Sequence, residues 1–321
     1  MANQSHLQNF SLEGDQVALP KGAWAQSHRL NVRWRGRDLT ALSQGHYRAY
    51  LFPVYTPAGF ALTSESPLDH PHHNSLWIGA DHVNCYLPFA NDTFEEASYN
   101  FYVNDIFQGR APGRILSVDV EAEELAADHL RLTQTLHWQG PVEWGAPQRR
   151  TLAVETRTID IRPGQTANLF DVRSHLRAAE WELRIGPTRH AYFGLRMTEA
   201  LRVTAGAVLI DSAGRSGGQA ISRQISDWVD CSGTIAAGRS AGAALFPYPS
   251  AQGFPWFVSD WGTLTVNPLA RKQYQLQPGE ALDFAVRVVA HDGDAEQADI
   301  AGLYRSFARK NSADIVKQSH D

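Results

Sequence analysis

Residues 69–82 concentrate the side chains of this chain that could do chemistry. Four of its 13 histidines fall within 13 consecutive residues, namely His70, His72, His73 and His82. An imidazole can donate or accept a proton near neutral pH, and it is also a common metal ligand. So many polar rings in one short segment are unfavourable in an apolar core, so the segment predicts a functional site.

Three interpretations of this histidine segment stay open. In the first, His72 and His73 form an acid/base pair that needs no cofactor, and His70 assists them. In the second, His70, His72 and His82 bind a divalent metal, because alternate residues of an extended strand point the same way. In the third, the rings are structural and hydrogen-bond the neighbouring loops.

Polar and aromatic residues beside the histidines are predicted to hold a substrate. Asp81, His82 and Asn84 could bind hydroxyl groups or cap a turn. Trp77 offers a face on which a sugar ring could stack, and a place in the core is the other interpretation of this residue.

A second polar run lies further along the chain. On one straight strand, His190, Tyr192 and Arg196 would share a face. An imidazole, a phenol and a guanidinium on one face are typical of a surface that binds an oxygen-rich ligand. His190 and Arg196 are therefore predicted to hold hydroxyl or carboxylate groups. Asp230 is a further substrate-binding candidate. Trp256 and Trp261 could line a cleft, although a place in the core is the favoured interpretation of the aromatic residues in that run.

These residues must be positioned by β-strands, because the dominant hydrophobic period is two. Apolar residues alternate with polar ones in four runs, at residues 130–138, 159–161, 170–176 and 284–290. Alternation sends one set of side chains into a core and the other set outward. Glycine and proline recur between the runs as turn signals. Many short strands with few helices predict an all-β fold.

Helical spacing is confined to one segment near the end of the chain. Its apolar residues recur at intervals of three and four, namely at Ile300, Leu303, Tyr304 and Phe307. This spacing predicts a C-terminal helix over about residues 294–310, with a frayed tail over 311–321. No linker divides the chain, so residues 1–321 are predicted to form a single domain, a large two-sheet β-sandwich.

Composition and charge exclude several classes of partner. Of the 321 residues, 43% are hydrophobic, which is enough for a sizeable core. The formal net charge of -5 does not suit a phosphate backbone, so nucleic acid is not an expected partner. No apolar run approaches the roughly 18 residues of a membrane helix, and no secretory signal is visible. Two cysteines, Cys85 and Cys231, fit free thiols in a reducing compartment. We expect a cytoplasmic protein with a small-molecule substrate and no membrane partner; a homo-oligomer stays open.

The chain resembles the PmoA-like family of bacterial proteins. The resembling segments are Asp69-His70-Pro71-His72-His73, Leu76-Trp77, Asp81-His82-Val83-Asn84, Trp228 to Gly233, Phe254 to Phe257 and Gly262 to Pro268. The resemblance implies a large β-sandwich of the galactose-mutarotase type. The run from His190 to Leu195 is similar to the segment that carries the acid histidine of aldose mutarotases, which implies a catalytic role for His190. At Thr188-Arg189 many family members have Lys-Glu, so the substrate is expected to differ.

We therefore expect an enzyme that performs acid/base chemistry on a sugar, a sugar acid or a related polyhydroxylated small molecule. Epimerisation, elimination and hydrolytic ring opening all fit, which leaves the lyase, isomerase and hydrolase classes open. His72 and His73 are the expected acid/base pair. A metal-dependent enzyme and a non-catalytic carbohydrate-binding accessory protein are the two alternatives.

Overall fold

The computed structural model describes residues 7–16, 28–88, 91 and 93–318. These residues form 21 β-strands and two α-helices. The first seven strands are β1 (Phe10–Gln16), β2 (His28–Trp34), β3 (Arg37–Gln44), β4 (Ala49–Val54), β5 (Leu76–Ala80), β6 (Val83–Pro88) and β7 (Phe94–Asn100). The next seven are β8 (Ala111–Pro112), β9 (Arg114–Ala126), β10 (His129–Gln139), β11 (Thr151–Arg162), β12 (Ala167–Ala178), β13 (Glu182–Ile185) and β14 (Ala191–Arg196). The remaining elements are β15 (Val208–Asp211), α1 (Gly218–Ile221), β16 (Val229–Ala236), β17 (Arg239–Pro247), β18 (Phe257–Ser259), β19 (Thr263–Val266), β20 (Tyr274–Leu276), β21 (Ala281–Asp292) and α2 (Ile300–Gln318).

The strands form two eight-stranded sheets and one five-stranded sheet. The first sheet has the order β1-β2-β3-β4-β5-β14-β19-β18, and the second has the order β15-β16-β17-β21-β12-β11-β10-β9. The third sheet has the order β20-β13-β6-β7-β8, in which β7 and β8 pair in parallel. The predicted all-β fold is confirmed, and the third sheet adds to the two large sheets expected.

Alternating burial places one face of each long strand in a common core. On β10, Leu130, Leu132 and Leu136 are fully buried, whereas the residues that flank each of them are partly exposed or polar. The same apolar cluster includes Ile78 of the first sheet and Val172 of the second sheet. The two large sheets therefore pack against each other through their apolar faces. Because burial contributes roughly 25 cal/mol per Å² of apolar surface, this core is the main source of stability.

The C-terminal helix begins and ends later than predicted. α2 starts at Ile300, and it continues through residues 311–318, which were expected to be frayed; residues 319–321 lie outside the described residues. Asp294 caps a separate turn. The helix starts only after Asp299, whose carboxylate accepts a hydrogen bond from the backbone N–H of Gly302. A side-chain acceptor at this position satisfies a donor that has no partner inside the helix.

The apolar face of α2 packs on the second sheet, as the spacing predicts. Ile300 and Phe307 join Val289 in a second apolar cluster. Val288, the neighbour of Val289 on β21, belongs to the main core instead. α2 therefore covers the outer face of the second sheet. Within the described residues, no helix has the length and apolar character needed to cross a membrane.

Both cysteines are free thiols, as expected, and both are buried. Burial raises the pKa of Cys85 to about 12 and also raises the pKa of Cys231. Neither thiol is a thiolate at neutral pH, so neither suits the role of a nucleophile.

Candidate active site

A cavity of about 370 Å³ lies over the outer face of the first sheet, where the histidine segment meets three other segments of the chain. Its lining residues are His70, His72, His73, Tyr102, Val103, Phe107, Arg189, His190, Phe257 and Trp261. A larger hollow of about 510 Å³ lies between α2 and the second sheet, but its described lining has no histidine or carboxylate. Another hollow of about 440 Å³ has one histidine, His175, in its described lining, whereas four histidines line the cavity of about 370 Å³. The concentration of imidazoles therefore identifies the candidate active site.

Strand pairing in the first sheet explains how distant segments meet at this cavity. β14 lies between β5 and β19. The loop that carries residues 70–73 precedes β5, residues 189–190 precede β14, and Trp261 lies in the turn between β18 and β19. Trp77 of β5 lies on the outer face, because its neighbour Ile78 belongs to the main core.

Four nearly parallel rings form a stack, and three of them, those of His70, His73 and Trp261, line the cavity. The ring of His73 lies between those of Trp77 and His70, with its centroid 4.8 Å from each. The ring of Trp261 stacks on His70 at 4.2 Å. The indole of Trp77 lies against Gly194, where a Cβ atom would come within 2.2 Å of Trp77. The stack therefore needs a glycine at this point of β14.

His73 is held neutral at the centre of this stack. Its side chain is fully buried, its Nε2 lies 2.9 Å from the Tyr102 hydroxyl, and its Nδ1 lies 3.4 Å from the Thr263 hydroxyl. Burial, followed by the nearby His72 and His70, lowers the pKa of His73. Because its ring is 1% exposed and lies between two stacked rings, His73 is suited to positioning its neighbours rather than to exchanging protons with a substrate.

His72 faces the cavity with its ring nitrogens available. Among the described residues, no hydrogen bond holds these nitrogens. Burial, followed by the positive charge of Arg48, lowers the pKa of His72 from 6.5 to about 3. His72 is therefore neutral at physiological pH and can donate and accept hydrogen bonds, but it is a weak base. The geometry does not support the predicted His72–His73 acid/base pair.

The two neutral histidines predict that the fold is sensitive to acid. Below pH 6.5 the unfolded chain binds a proton at His72, whereas the folded protein does not until about pH 3. As the pH decreases through this window, the free energy of unfolding should therefore decrease, by up to about 1.4 kcal/mol per pH unit for each such histidine. Urea unfolding at pH 7, 6 and 5 measures this slope. His73→Gln should flatten it, and the exposed control His46→Gln should not. Equal slopes in the two variants would mean that folded His73 takes up the proton.

His190 also lines the cavity, and it forms a pair with Asp81. Its Nδ1 donates to the Asp81 carboxylate at 3.0 Å, and its Nε2 accepts a hydrogen bond from Arg189 Nε at 3.1 Å. Burial alone would raise the pKa of Asp81, but the hydrogen bonds from His190 and Thr188, with Arg110 nearby, lower it. Asp81 is thus an ionised carboxylate that orients the ring of His190, and Nε2 is the nitrogen that a substrate would reach once Arg189 moves aside.

Arg196 supports the ring stack and does not reach the cavity. It is fully buried, and its Nη2 donates to both carboxylate oxygens of Asp69 at 2.8 Å. Its guanidinium lies 4.8 Å from the centre of the Trp261 ring. Asp69 also lies 3.3 Å from His70 Nδ1. The prediction that Arg196 binds substrate is therefore corrected: Arg196 holds Asp69 and Trp261 in place.

Four further predicted substrate-binding residues lie away from the cavity lining. His82 contacts the Pro187 carbonyl at 3.4 Å, and Asn84 bonds Glu96 and Ser98 within the third sheet. Asp230 is fully buried and lies 2.7 Å from His291. Trp77 is 1% exposed and belongs to the base of the ring stack.

The predicted metal-ligand set is not assembled. His70 and His72 line the cavity, whereas His82 does not. Across residues 7–16, 28–88, 91 and 93–318, no group of three or more histidine, cysteine, aspartate or glutamate side chains is placed to hold a metal ion. The correction has a simple cause: His70 and His72 lie in a loop and not on one straight strand, and their rings cross at 68°.

Several lining residues were not predicted from the sequence. Tyr102, Val103 and Phe107 reach the cavity through a loop that Asn100 holds by accepting hydrogen bonds from the backbone N–H groups of Tyr102 and Val103. Neither the residue types nor their spacing in the sequence indicates that this loop lines a cavity. Arg189 could have been found, because it directly precedes the predicted site residue His190. Of the two tryptophans expected as cleft residues, Trp261 lines the cavity, whereas Trp256 is buried in the main core.

Comparison with known proteins gives a family and a set of distant structures. A family model described as a family of unknown function (DUF6807) matches residues 29–305. A search of curated proteins finds no match. The solved structure of a candidate aldose 1-epimerase from Klebsiella pneumoniae is similar at 11% identity and a TM-score of 0.46, over 94% of this chain and 87% of that chain.

Two other solved structures show the same kind of similarity. A galactose mutarotase related enzyme from Lactobacillus acidophilus is 9% identical with a TM-score of 0.31, over 79% of this chain and 95% of that chain. An α-galactosidase from Lactobacillus brevis is 11% identical with a TM-score of 0.39, over 92% of this chain and 40% of that chain. Similarity at these TM-scores does not indicate a substrate or a reaction. The resemblance to the PmoA-like family, which the sequence suggests, stays a prediction.

Proposed function

The chain belongs to the DUF6807 family, a family of unknown function, and we propose that it is an enzyme that transfers a proton on a sugar, a sugar acid or a related polyhydroxylated small molecule. The observation that carries the proposal is the His190–Asp81 pair at the wall of a cavity lined by aromatic rings. This assignment replaces the His72–His73 pair expected from the sequence.

His190 is the proposed acid/base residue. Because its Nδ1–H donates to Asp81, Nε2 carries the lone pair. Nε2 would accept a proton from a substrate hydroxyl, or from a carbon beside a carbonyl, and Asp81 would stabilise the imidazolium that forms. Returning that proton to the opposite face of the same carbon completes an epimerisation. Returning it to the leaving oxygen completes an elimination, and returning it to the ring oxygen opens a hemiacetal ring.

The remaining lining residues suit a polyhydroxylated ring. Neutral His72 can donate one hydrogen bond and accept another, which matches a sugar hydroxyl. Phe107, Phe257 and Trp261 supply apolar ring faces in the same cavity, against which the C–H face of a sugar can pack.

The proposal predicts proton exchange that depends on the protein. Proton NMR in D₂O would follow a panel of aldoses, aldonates, uronates and 3-keto-sugars. We expect at least one of them to exchange a C–H for deuterium, to interconvert anomers faster or to give a new product, at a rate proportional to protein concentration. The control His175→Asn alters an exposed histidine that lies 2.8 Å from Asp283 outside the cavity, and it should retain this activity.

One outcome would contradict the proposal directly. Binding of panel members without any chemical change or exchange would instead support a non-catalytic carbohydrate-binding accessory protein.

A further inference from the structure

We propose that the cavity takes a sugar acid of single-ring size, and that Arg189 at its rim binds the carboxylate of this ligand. This inference rests on the proposed function for its choice of site, and it narrows the substrate class of that site from polyhydroxylated molecules in general to anionic ones.

The carboxylates beside the cavity are already neutralised. Asp69 receives two hydrogen bonds of 2.8 Å from Arg196 and lies 3.3 Å from Arg202. Asp81 is bonded by His190 and has Arg110 at 3.9 Å. No carboxylate is among the described lining residues. A ligand in the cavity therefore meets hydrogen-bond donors and positive charge, and no free negative charge repels it.

Arg48 supplies a buried positive charge directly beneath this lining. It is 2% exposed, its Nη1 donates to the His72 carbonyl at 2.8 Å, and its Nη2 donates to Asn104 Oδ1 at 2.8 Å. Burial lowers the pKa of Arg48 to about 10, so it stays protonated at neutral pH. Its Nε has no hydrogen-bond partner among the described residues.

Arg48 differs from the two other arginines that the described part of the chain buries. Arg157 is paired with Glu155 at 2.9 Å, and Arg196 is paired with Asp69. Arg48 has no carboxylate within ion-pair distance among the described residues. A buried charge without a counter-charge destabilises a fold. An anionic ligand in the cavity would supply the missing negative charge.

Arg189 is the exposed positive group that such a ligand would reach first. It lies at the cavity lining, and no ion pair holds it among the described residues. In the present arrangement its Nε donates to His190 Nε2 at 3.1 Å, which occupies the nitrogen assigned to proton transfer. A ligand carboxylate that draws the Arg189 guanidinium to itself would release Nε2. Binding of the anion and exposure of the base are thus coupled.

The size of the cavity fits one sugar ring. A volume of about 370 Å³ is close to the lower end of the roughly 300–1,000 Å³ typical of small-molecule sites. A single planar arginine at the rim can bind a carboxylate through two parallel hydrogen bonds, which places one end of the ring while His72 and His190 contact its hydroxyls.

Calorimetric titration of matched ligands tests this inference. Glucuronate, galacturonate and mannuronate would be compared with glucose, galactose and mannose, and glucose 6-phosphate would serve as the phosphate analogue. At least one uronate should bind about tenfold or more tightly than its neutral partner. Equal or tighter binding of the neutral sugars, no binding of any uronate, or a preference for the phosphate would each overturn the inference.

Substitution of the rim arginine locates the effect. Arg189→Gln should lower the ratio between neutral-sugar and uronate dissociation constants by about tenfold. Arg177→Gln, an equal change of charge at an exposed arginine on β12, should leave that ratio unchanged. If the two variants had the same ratio of neutral-sugar to uronate dissociation constants, Arg189 would not be the residue that binds the carboxylate.

The outcomes also separate this inference from the proposed function. Uronates that bind but undergo no exchange or conversion would contradict the enzyme and leave the anion preference standing. Turnover of neutral sugars with no preference for uronates would support the enzyme and contradict the anion preference.

Discussion

His190→Asn is expected to lower the turnover number by about 10²- to 10⁴-fold, the usual contribution of a well-placed acid or base. Asparagine can still donate a hydrogen bond to Asp81 through its amide, so this carboxylate keeps a partner. The amide cannot accept and return a proton as Nε2 does. Exchange rates from the D₂O experiment, together with circular dichroism to confirm folding, provide the measurement.

The controls for this prediction lie in the same chain. His82→Asn alters a histidine of the same segment that does not line the cavity, and it should retain turnover. Asp81→Asn should reduce turnover with little change in KM, because it acts through the orientation of His190 rather than on the substrate. A folded His190→Asn variant with full turnover would eliminate His190 as the acid/base residue.

Trp77→Ala should lower the free energy of unfolding by about 3–5 kcal/mol, the usual cost of replacing a buried aromatic side chain by alanine. The indole is 1% exposed, stacks on His73, and fills the space over Gly194. Its removal leaves a cavity beside the ring of His73. Urea unfolding at neutral pH measures the change.

The matched control for this variant is Trp144→Ala. Trp144 is fully exposed, and its replacement should change stability by no more than about 0.5 kcal/mol. If Trp77→Ala were as stable as the wild type but failed to bind any ligand, Trp77 would be a binding surface for the sugar, and its place in the core would be refuted.

The regular part of the fold was predictable because it depends on local patterns. Alternation around Phe170 and Leu176 is enough to place both in the core, since a strand has a period of two. The spacing of Ile300 and Phe307 similarly predicts the helix. The start of that helix was missed because the spacing of apolar residues does not show which residue caps the first turn, and the structure shows that Asp299 does so.

The site was predictable only in part because it depends on pairings between distant residues. The density of histidines pointed correctly to His70, His72 and His73 at the cavity. Asp230 lies away from the cavity lining and pairs with His291, which is 61 residues away on another strand. Asn84 also lies away from the lining, because it contacts Glu96 and Ser98 within the third sheet. Neither pairing can be predicted from the spacing of residues along the chain.

Histidine-ring NMR tests the central claim most directly, namely that the ligand binds between His72 and His190. Ring ¹H–¹⁵N resonances would be followed while the panel member that binds most tightly by calorimetry is added. The resonances of His72 and His190 should shift with a midpoint that matches the calorimetric dissociation constant, and those of His129 and His175, on the second sheet, should stay in place. Calorimetric binding that leaves the His72 and His190 resonances unmoved would contradict the account.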